Sequence, residues 1–492
     1  MNFEHESSKL KSVKKLTKII ATIGPASDTP EKISELIDLG VNVFRFNLKH
    51  NELSWHEEKI KLVKKIAGDK SLPIGVMIDL QGPEIRTIVE KPLDIKKGQE
   101  IVVGDSDSKL PSINITAPHV FKNIKKDQKV IADDGRLKFA VIEVSDKHMV
   151  LKAEIAGLLN DRKTFNMPGA VYPMPVLTVK DYAAIKMAGT IQVDFIALSF
   201  VRSAHDIFEL KEAMKKEGVA SRVVSKIETK KSIENLDEII SASDGIMVAR
   251  GDLGIELPME QVPFYQKLMI KKCLEKGIPV ITATQMLHSM TDEPYPTRAE
   301  ISDVSNAVYD LCDSVMLSEE TAMGKYPLKA VEVMRDTVAF TELQDFLQDT
   351  RTTHDFIISG SEEMLCETAY SLYLRFKNQG EDIGGFIAFS KTGRTGKKIS
   401  RYRAKVPIFV FCPDAKIRDS LTMSFGVRPF IQPPQIINNN QVRVEDMKEA
   451  FSFLVASEHV DPDKRYILLY GDNWGIEGGV STIKIVYPKN LD

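Results

Sequence analysis

Short apolar, β-branched runs recur at residues 18–23, 41–46, 74–79, 193–198, 222–227, 245–248, 279–284 and 314–317. They are apolar throughout and do not alternate, which predicts strands covered on both faces, as in a closed (β/α)8 barrel or a doubly wound sheet. Helical patterns lie between most of them, so the sheet is expected to be parallel. Over 29–40, Thr29 stands as a cap, Pro30 opens the first turn, Ile33, Leu36 and Ile37 form an apolar stripe, and Gly40 terminates it. A second helix is expected where Ser54 and Glu57 have capping-box spacing and Ile60, Val63 and Ile66 recur every third residue. Eight strand-helix units favour the TIM barrel. The unusual polar residues fall at the C-terminal ends of the runs: Arg45 and Asn47, Asp79, Lys226 and Glu228, Asp252 beyond Arg250, Thr284, and Ser318 with Glu319. Barrel enzymes keep their active sites on that face.

The texture changes between the third and fourth runs. Residues 88–175 hold alternating or apolar stretches such as 100–103 and 138–144, and the Asp133-Asp134-Gly135 triplet supplies a turn. This predicts a small β-barrel domain inserted in a strand-to-helix loop, emerging on the polar face as a lid. Beyond about residue 341 the runs 384–389, 406–411 and 466–470 predict a third, α/β domain. The expected division is a barrel over 1–87 and 176–345, the lid over 88–175, and a C-terminal regulatory domain over 346–492.

With 492 residues, 43% apolar and 27% charged, the chain is an ordinary globular protein long enough for several cores. A net charge of -3 supplies no field for nucleic acid or an anionic membrane. The N-terminus Met-Asn-Phe-Glu-His-Glu-Ser-Ser is too polar for a signal peptide, and no run of about 18 uncharged apolar residues occurs. The four cysteines, Cys273, Cys312, Cys366 and Cys412, form no CxxC pair. A cytoplasmic enzyme acting on small molecules is expected.

Lys226 and Glu228 are two apart, so on a strand they share a face, and a neighbouring strand end can bring Asp252 to them. Two carboxylates without a thiol or imidazole suit a hard divalent cation, Mg²⁺, that keeps some waters and bridges to a phosphate or carboxylate ligand. The competing reading pairs the acids with Lys226 and Arg250. Lys226 beside the metal would counter charge on a phosphoryl group in flight. Arg45 would grip a phosphate with its planar fork, or else serve as a structural partner of Asp79.

The strings Met247-Val-Ala-Arg-Gly-Asp-Leu-Gly-Ile-Glu, Ser225-Lys-Ile-Glu, Ala283-Thr-Gln-Met-Leu, Pro296-Thr-Arg-Ala-Glu, Gly82-Pro-Glu-Ile-Arg-Thr and Thr22-Ile-Gly-Pro-Ala-Ser, with the closing Gly475-Ile-Glu-Gly-Gly, together resemble the pyruvate kinases. The resemblance implies Mg²⁺-dependent phosphoryl transfer from phosphoenolpyruvate to ADP, giving pyruvate and ATP, the final step of glycolysis, in a homotetramer. It implies that Lys226 stabilises the transferring group, Glu228 and Asp252 hold Mg²⁺, Arg45 holds the phosphate, and Thr284 lies near the face on which the enolate is protonated. It also places backbone amides near Ala249, Gly251 and Asp252 around the substrate carboxylate. Asn47, His50, Arg86 and Lys180 fall towards the nucleotide.

The chain departs from the family at its monovalent-cation site, where R-x-N-x-S-H reads Arg45-Phe-Asn-Leu-Lys-His and D-T-K-G-P reads Asp79-Leu-Gln-Gly-Pro. Asn47 and Asp79 are kept, but two hydroxyl ligands have become Lys49 and Leu80. Either the Lys49 ammonium pairs with Asp79 and replaces K⁺, or Lys49 turns to solvent and the site is broken. Gln81 replaces a further lysine near the nucleotide. Ser390, Lys391, Thr392, Gly393, Arg394 and Thr395 resemble the family's effector loop, and a hydroxyl-rich turn entering a helix suits a phosphorylated effector, a sugar phosphate or nucleotide. Two other functions compete: a weakly active or idle regulatory relative, and a Mg²⁺-dependent lyase acting on a pyruvate enolate.

Overall fold

A computed structural model describes residues 15–104, 108–170, 173–344, 356, 358–431, 444–457, 459–471 and 479–487. The N-terminal octapeptide and residues 475–478 of the closing glycine-rich string lie outside the described residues. Eight strands close into a parallel barrel: β1 (Lys18–Thr22), β2 (Val43–Asn47), β3 (Gly75–Asp79), β4 (Phe195–Leu198), β5 (Arg222–Ile227), β6 (Gly245–Ala249), β7 (Val280–Ala283) and β8 (Ser314–Leu317). Each pairs with its neighbours in sequence, and β1 returns to β8 through Lys18 opposite Ser314. β-Branched runs fit this setting because each strand is packed on both faces. One set of side chains meets the surrounding helices. The other fills the interior with Ile20, Val43, Met77, Phe195, Val224, Met247, Ile281 and Met316.

The first helix follows its signals. It spans Pro30–Asp38, the Thr29 hydroxyl accepts from the Lys32 amide, and Ile33, Leu36 and Ile37 are buried. The second spans Leu53–Asp69, and here the expected capping box is absent: Glu52 occupies the cap position without a side-chain bond, and Glu57 accepts from Lys61 one turn on. An i,i+4 ion pair on an exposed face outcompetes the box once the helix begins two residues earlier. Ile60, Val63 and Ala67 form its buried stripe, with Ile66 only partly covered.

After β3 the chain leaves the polar end of the barrel and builds a mainly antiparallel sheet over its own core, which includes Ile101, Phe121, Phe139, Leu151 and Phe165. The Asp133-Asp134-Gly135 turn joins Lys129–Ala132 to Leu137–Val144, with φ of 52°, 53° and 97°. Left-handed backbone at consecutive positions is what a tight hairpin requires, and Asp and Gly tolerate it. The C-terminal domain carries five strands in the order Val427–Ile431, Ile408–Cys412, Ile383–Phe389, Arg465–Tyr470 and Thr482–Val486, the last antiparallel. It also closes the barrel's N-terminal mouth. Met423 joins the interior cluster, Ser314 Oγ donates to Met423 O at 2.8 Å, and a Cβ at Gly245 would come within 2.6 Å of Met423 Cε.

All four cysteines are free and buried, and burial pushes Cys312 and Cys366 up to about 12 and raises Cys273 and Cys412 as well. Since the thiolate is the reactive form, no thiol should react with a disulfide reagent at pH 8 in the native protein. All should titrate after denaturation, and rapid native labelling would contradict this packing. Among the described residues no helix is long and apolar enough to cross a membrane.

Candidate active site

Asp79, the last residue of β3 and fully buried, is the hub of the polar end. Arg45 on β2 reaches its Oδ2 with Nε at 2.8 Å and Nη2 at 2.6 Å, and sends Nη1 to Thr22 Oγ1 at 3.0 Å. Lys226 on β5 lies 3.2 Å from Oδ1. Burial alone would raise the Asp79 pKa, but Lys226 and Arg45 outweigh it and push the carboxyl down to about 2. Burial likewise opposes charge on Lys226, yet Asp79, Glu228 and Asp252 hold its ammonium well above its ordinary value. The lysine is therefore a permanent cation.

Lys226 Nζ lies 2.8 Å from Glu228 Oε1. The approach is off the line of a hydrogen bond, so Oε1 is buried with no donor aligned on it, while Oε2 accepts the Phe200 amide at 2.7 Å. Burial and then the nearby Asp252 charge raise the Glu228 pKa against the pull of Lys226. A carboxylate oxygen without a hydrogen bond, beside a second acid, fits a hard cation. Glu228 and Asp252 both line a cavity of about 190 Å³ that Phe165, Asn166 and Met167 of the inserted domain cover. Among the described residues no group of three or more acidic, histidine or cysteine side chains could enclose a metal.

The competing reading's pairing of Glu228 or Asp252 with Arg250 is not met: no such pair forms among the described residues. Arg250 instead pairs with Asp303 at 2.7 Å and donates to Thr284 O at 2.8 Å and Ala283 O at 3.2 Å. Thr284 carries φ of 66°, a left-handed conformation that a β-branched residue adopts only under constraint. Arg250 supplies part of that constraint, and the Gly251 amide, donating to Thr284 Oγ1 at 2.8 Å, supplies another. Ala249 and Gly251 flank the start of the helix Arg250–Glu256, next to Asp252 in its first turn.

Lys49 corrects the sequence reading in one respect. Its ammonium pairs with Glu84 and not with Asp79, and it stands 5.3 Å from the centroid of the Phe200 ring. It is not turned to solvent, its side chain being 16% exposed. Burial and Lys226 both work against the charge, but Glu84, Asp252 and Glu228 more than compensate and raise its pKa. Leu80 is fully buried in the outer core and offers the site no oxygen from its side chain. Asn47 sits opposite Asp79 in the strand register and accepts from the Lys49 amide at 3.2 Å.

Arg86 shares Glu84 with Lys49 and donates from Nη1 to Arg162 O of the inserted domain at 2.8 Å. His50 is exposed, with its pKa lowered by partial burial and by Lys49 and Arg86. Lys180, in the first turn of the helix Val179–Ile191, reaches only Asn51 O at 3.4 Å. Gln81 donates its amide to Asp181 Oδ1 at 2.9 Å.

Two further residues of the site, Ser199 and Glu84, are not among those the sequence singled out. Ser199 follows β4, accepts from Lys226 Nζ at 2.9 Å, and turns its hydroxyl to Leu80 O at 2.8 Å. Glu84 clamps Lys49 and Arg86 together. Its place in the Gly82-Pro-Glu string is the one feature that could have drawn attention to it.

In the C-terminal domain, Ser390 to Gly393 lead from the strand Ile383–Phe389 into the helix Arg394–Ser400. Ser390 and Thr395 are buried, Thr395 Oγ1 donates to Glu362 Oε1 at 3.0 Å, and Arg394 Nε lies 3.1 Å from Glu362 Oε2. Gly393 has φ of 75°, and a Cβ there would meet Leu421 at 2.7 Å. Lys391 and Thr392 sit on the turn itself, exposed and half-buried.

Fold and site together define a (β/α)8-barrel enzyme whose strand ends gather a cation and two acids beneath an inserted β domain. Models of two families match: "Pyruvate kinase, barrel domain" over residues 14–331 and "Pyruvate kinase, alpha/beta domain" over residues 370–486. The chain is 34% identical to the pyruvate kinase of Methylorubrum extorquens, across 96% of this chain and 97% of that one. It is 36% identical to that of Thermotoga maritima, across 88% and 93%. A crystal structure of a pyruvate kinase from Cryptosporidium parvum superposes with a TM-score of 0.88 at 31% identity, covering 99% of each chain. The chain belongs to the pyruvate kinase family and is a transferase.

Proposed function

We propose that the enzyme transfers the phosphoryl group of phosphoenolpyruvate to ADP, giving pyruvate and ATP as the last step of glycolysis. The observation that carries this reading is the Lys226 ammonium, held between Asp79 and Glu228, with Glu228 itself lining a cavity together with Asp252. In the reaction the phosphorus bond to the enol oxygen breaks, a bond to the terminal ADP oxygen forms, and the enolate carbon takes a proton. Lys226 faces the moving phosphoryl group with a charge that burial among acids keeps in place. Arg45, fixed by Asp79, binds the phosphate. Glu228 and Asp252 would hold Mg²⁺, which when bound supplies positive charge to the substrate oxygens. Thr284, held by Arg250 and Gly251, stands where a proton can pass to the enolate through water. The amides around Ala249, Gly251 and Asp252 take the carboxylate. Asn47, His50, Arg86 and Lys180 face ADP, and the inserted domain closes over the site to exclude water. Coupled detection of pyruvate tests the reading, because an idle relative forms none and a lyase forms none that depends on ADP.

Within this reading Lys49 replaces K⁺. Its ammonium pairs with Glu84 and its charge is felt by Asp79, so a second monovalent cation at the altered site would be repelled. Activity in tetramethylammonium buffer is expected to change little when K⁺ is added. Lys49→Ser should lose activity roughly tenfold or more and regain much of it with K⁺. Strong K⁺ stimulation of the unaltered enzyme would end this part of the reading.

The 390–395 turn is proposed to take a phosphorylated effector, and any such ligand must displace Glu362 from Arg394. Titrating sugar phosphates and nucleotides should shift half-saturation by phosphoenolpyruvate for one of them, and Glu362→Gln should tighten that response. No shift with any of them would leave the turn a capped surface helix. A homotetramer is proposed from family membership alone.

A further inference from the structure

The seam between the barrel's N-terminal face and the C-terminal domain leaves a half-open void of about 10 Å³, lined by Gly277, Asp313, Lys397, Arg401, Arg403 and Ser424. That is room for one water-sized particle. Arg403 and Asp313 are already satisfied. Arg403 Nη2 pairs with Asp313 Oδ2 at 2.6 Å, and its other nitrogens donate to Leu311 O at 3.0 Å and Ser400 O at 2.9 Å. Asp313 further accepts the Val280 amide at 3.0 Å and the Phe425 amide at 2.9 Å.

Two other groups on the void hold unsatisfied buried atoms, and a third, Lys397, brings an ammonium to it. Arg401 is only 3% exposed, yet among the described residues its Nε has no partner and Nη2 donates to the Tyr402 hydroxyl at 3.3 Å. Its guanidinium lies over the rings of Phe356 at 4.6 Å and Tyr402 at 5.2 Å, which suit its face but not its edge donors. Ser424, 1% exposed, has a hydroxyl with no partner among the described residues. Lys397 is half-buried and forms no ion pair among the described residues, and burial followed by the neighbouring Arg222 lowers its pKa to about 8 against the pull of Asp244.

Buried charge is ordinarily paired, and Arg401 has no counter-charge in contact among the described residues, with the half-buried Lys397 ammonium beside it. The helix Val262–Lys276 points its C-terminus at the void through Gly277, against which Arg401 lies. A helix end carries only about half a unit of negative charge, less than the two positive charges present. A water molecule would answer the orphaned donors but would leave the charge. We propose that the void is a binding site for a monatomic anion of the chloride class, held by Arg401, Lys397 and the Ser424 hydroxyl. The anion joins the barrel turn at Gly277 to the helix Arg394–Ser400, so its occupancy and the docking of the C-terminal domain on the barrel are linked.

Crystals of the full chain grown with bromide in place of chloride are expected to show an anomalous difference peak at hydrogen-bonding distance from Arg401 Nε and Ser424 Oγ. In solution the melting temperature should rise saturably, by a few degrees, when gluconate is exchanged for chloride at constant ionic strength. Arg401→Met should abolish the chloride response. Should that variant fail to fold, Lys397→Met and Ser424→Ala serve instead, each raising the half-saturating chloride concentration by about tenfold. An ordered water without anomalous signal overturns the proposal. So does a bromide peak with no chloride dependence of melting, which is an adventitious ion only, and so does an unchanged chloride response in Lys397→Met.

Discussion

Lys226→Met is expected to lower kcat by roughly 10²–10³ or more while moving the half-saturating phosphoenolpyruvate concentration little, because the lost interaction is strongest with the group in transfer. The magnitude follows from the setting of the ammonium, which Asp79, Glu228 and Ser199 fix at 3.2, 2.8 and 2.9 Å before any substrate arrives. A preorganised charge in a buried site needs no rearrangement as the reaction proceeds. The variant leaves Glu228 without its partner cation, so its folding must be checked by circular dichroism and melting. A folded variant with nearly full kcat would remove Lys226 from the chemistry, whereas a large rise in half-saturation at constant kcat would make it a ground-state binding residue.

Asp79→Asn should destabilise the fold by about 3–5 kcal/mol, the range for removing one partner of a buried ionic network. The amide side chain would keep the shape but leave Arg45 and Lys226 facing each other without the charge that now separates them. The same residue sets an acid dependence. Its pKa is depressed from 3.8 to about 2, so its stabilisation is present above pH 3.8 and is lost as the pH falls towards 2. Urea unfolding at pH 7 and pH 3 should show the difference between the two proteins shrinking at the lower pH. A difference under about 1 kcal/mol at pH 7 would mean that the cluster relaxes around the change.

The barrel was legible because its strands are apolar on both faces and its chemistry sits at their ends, so position and composition carry the same message. The strands that escape notice are those where this coupling fails. Val427–Ile431 contains Pro429 and lies at a sheet edge, where a missing amide is tolerated, and Thr482–Val486 has an exposed lysine and isoleucine at its centre. Ser54 and Glu57 have the spacing of a cap, but spacing cannot say which residue begins the helix. Lys226, Glu228 and Asp252 stand out as charges beside apolar runs. Ser199 does not, since a lone serine after a strand is ordinary. The partner of Lys49 was out of reach for a different reason: choosing Glu84 over Asp79 depends on the path of the chain after β3 and on Arg45 and Lys226 having already taken Asp79. The Met423 plug is a contact between domains and has no local pattern.

The central claim is that Glu228 and Asp252 hold a magnesium ion beside Lys226 for phosphoryl transfer to ADP. The most direct measurement follows pyruvate release from phosphoenolpyruvate with ADP and Mg²⁺ supplied or withheld, in the unaltered enzyme and in Glu228→Gln. Pyruvate is predicted to require both ADP and Mg²⁺, and the variant is predicted to need far more Mg²⁺ for the same rate. Pyruvate formed equally well without ADP, none formed at all, or an unchanged Mg²⁺ requirement in Glu228→Gln would contradict the account.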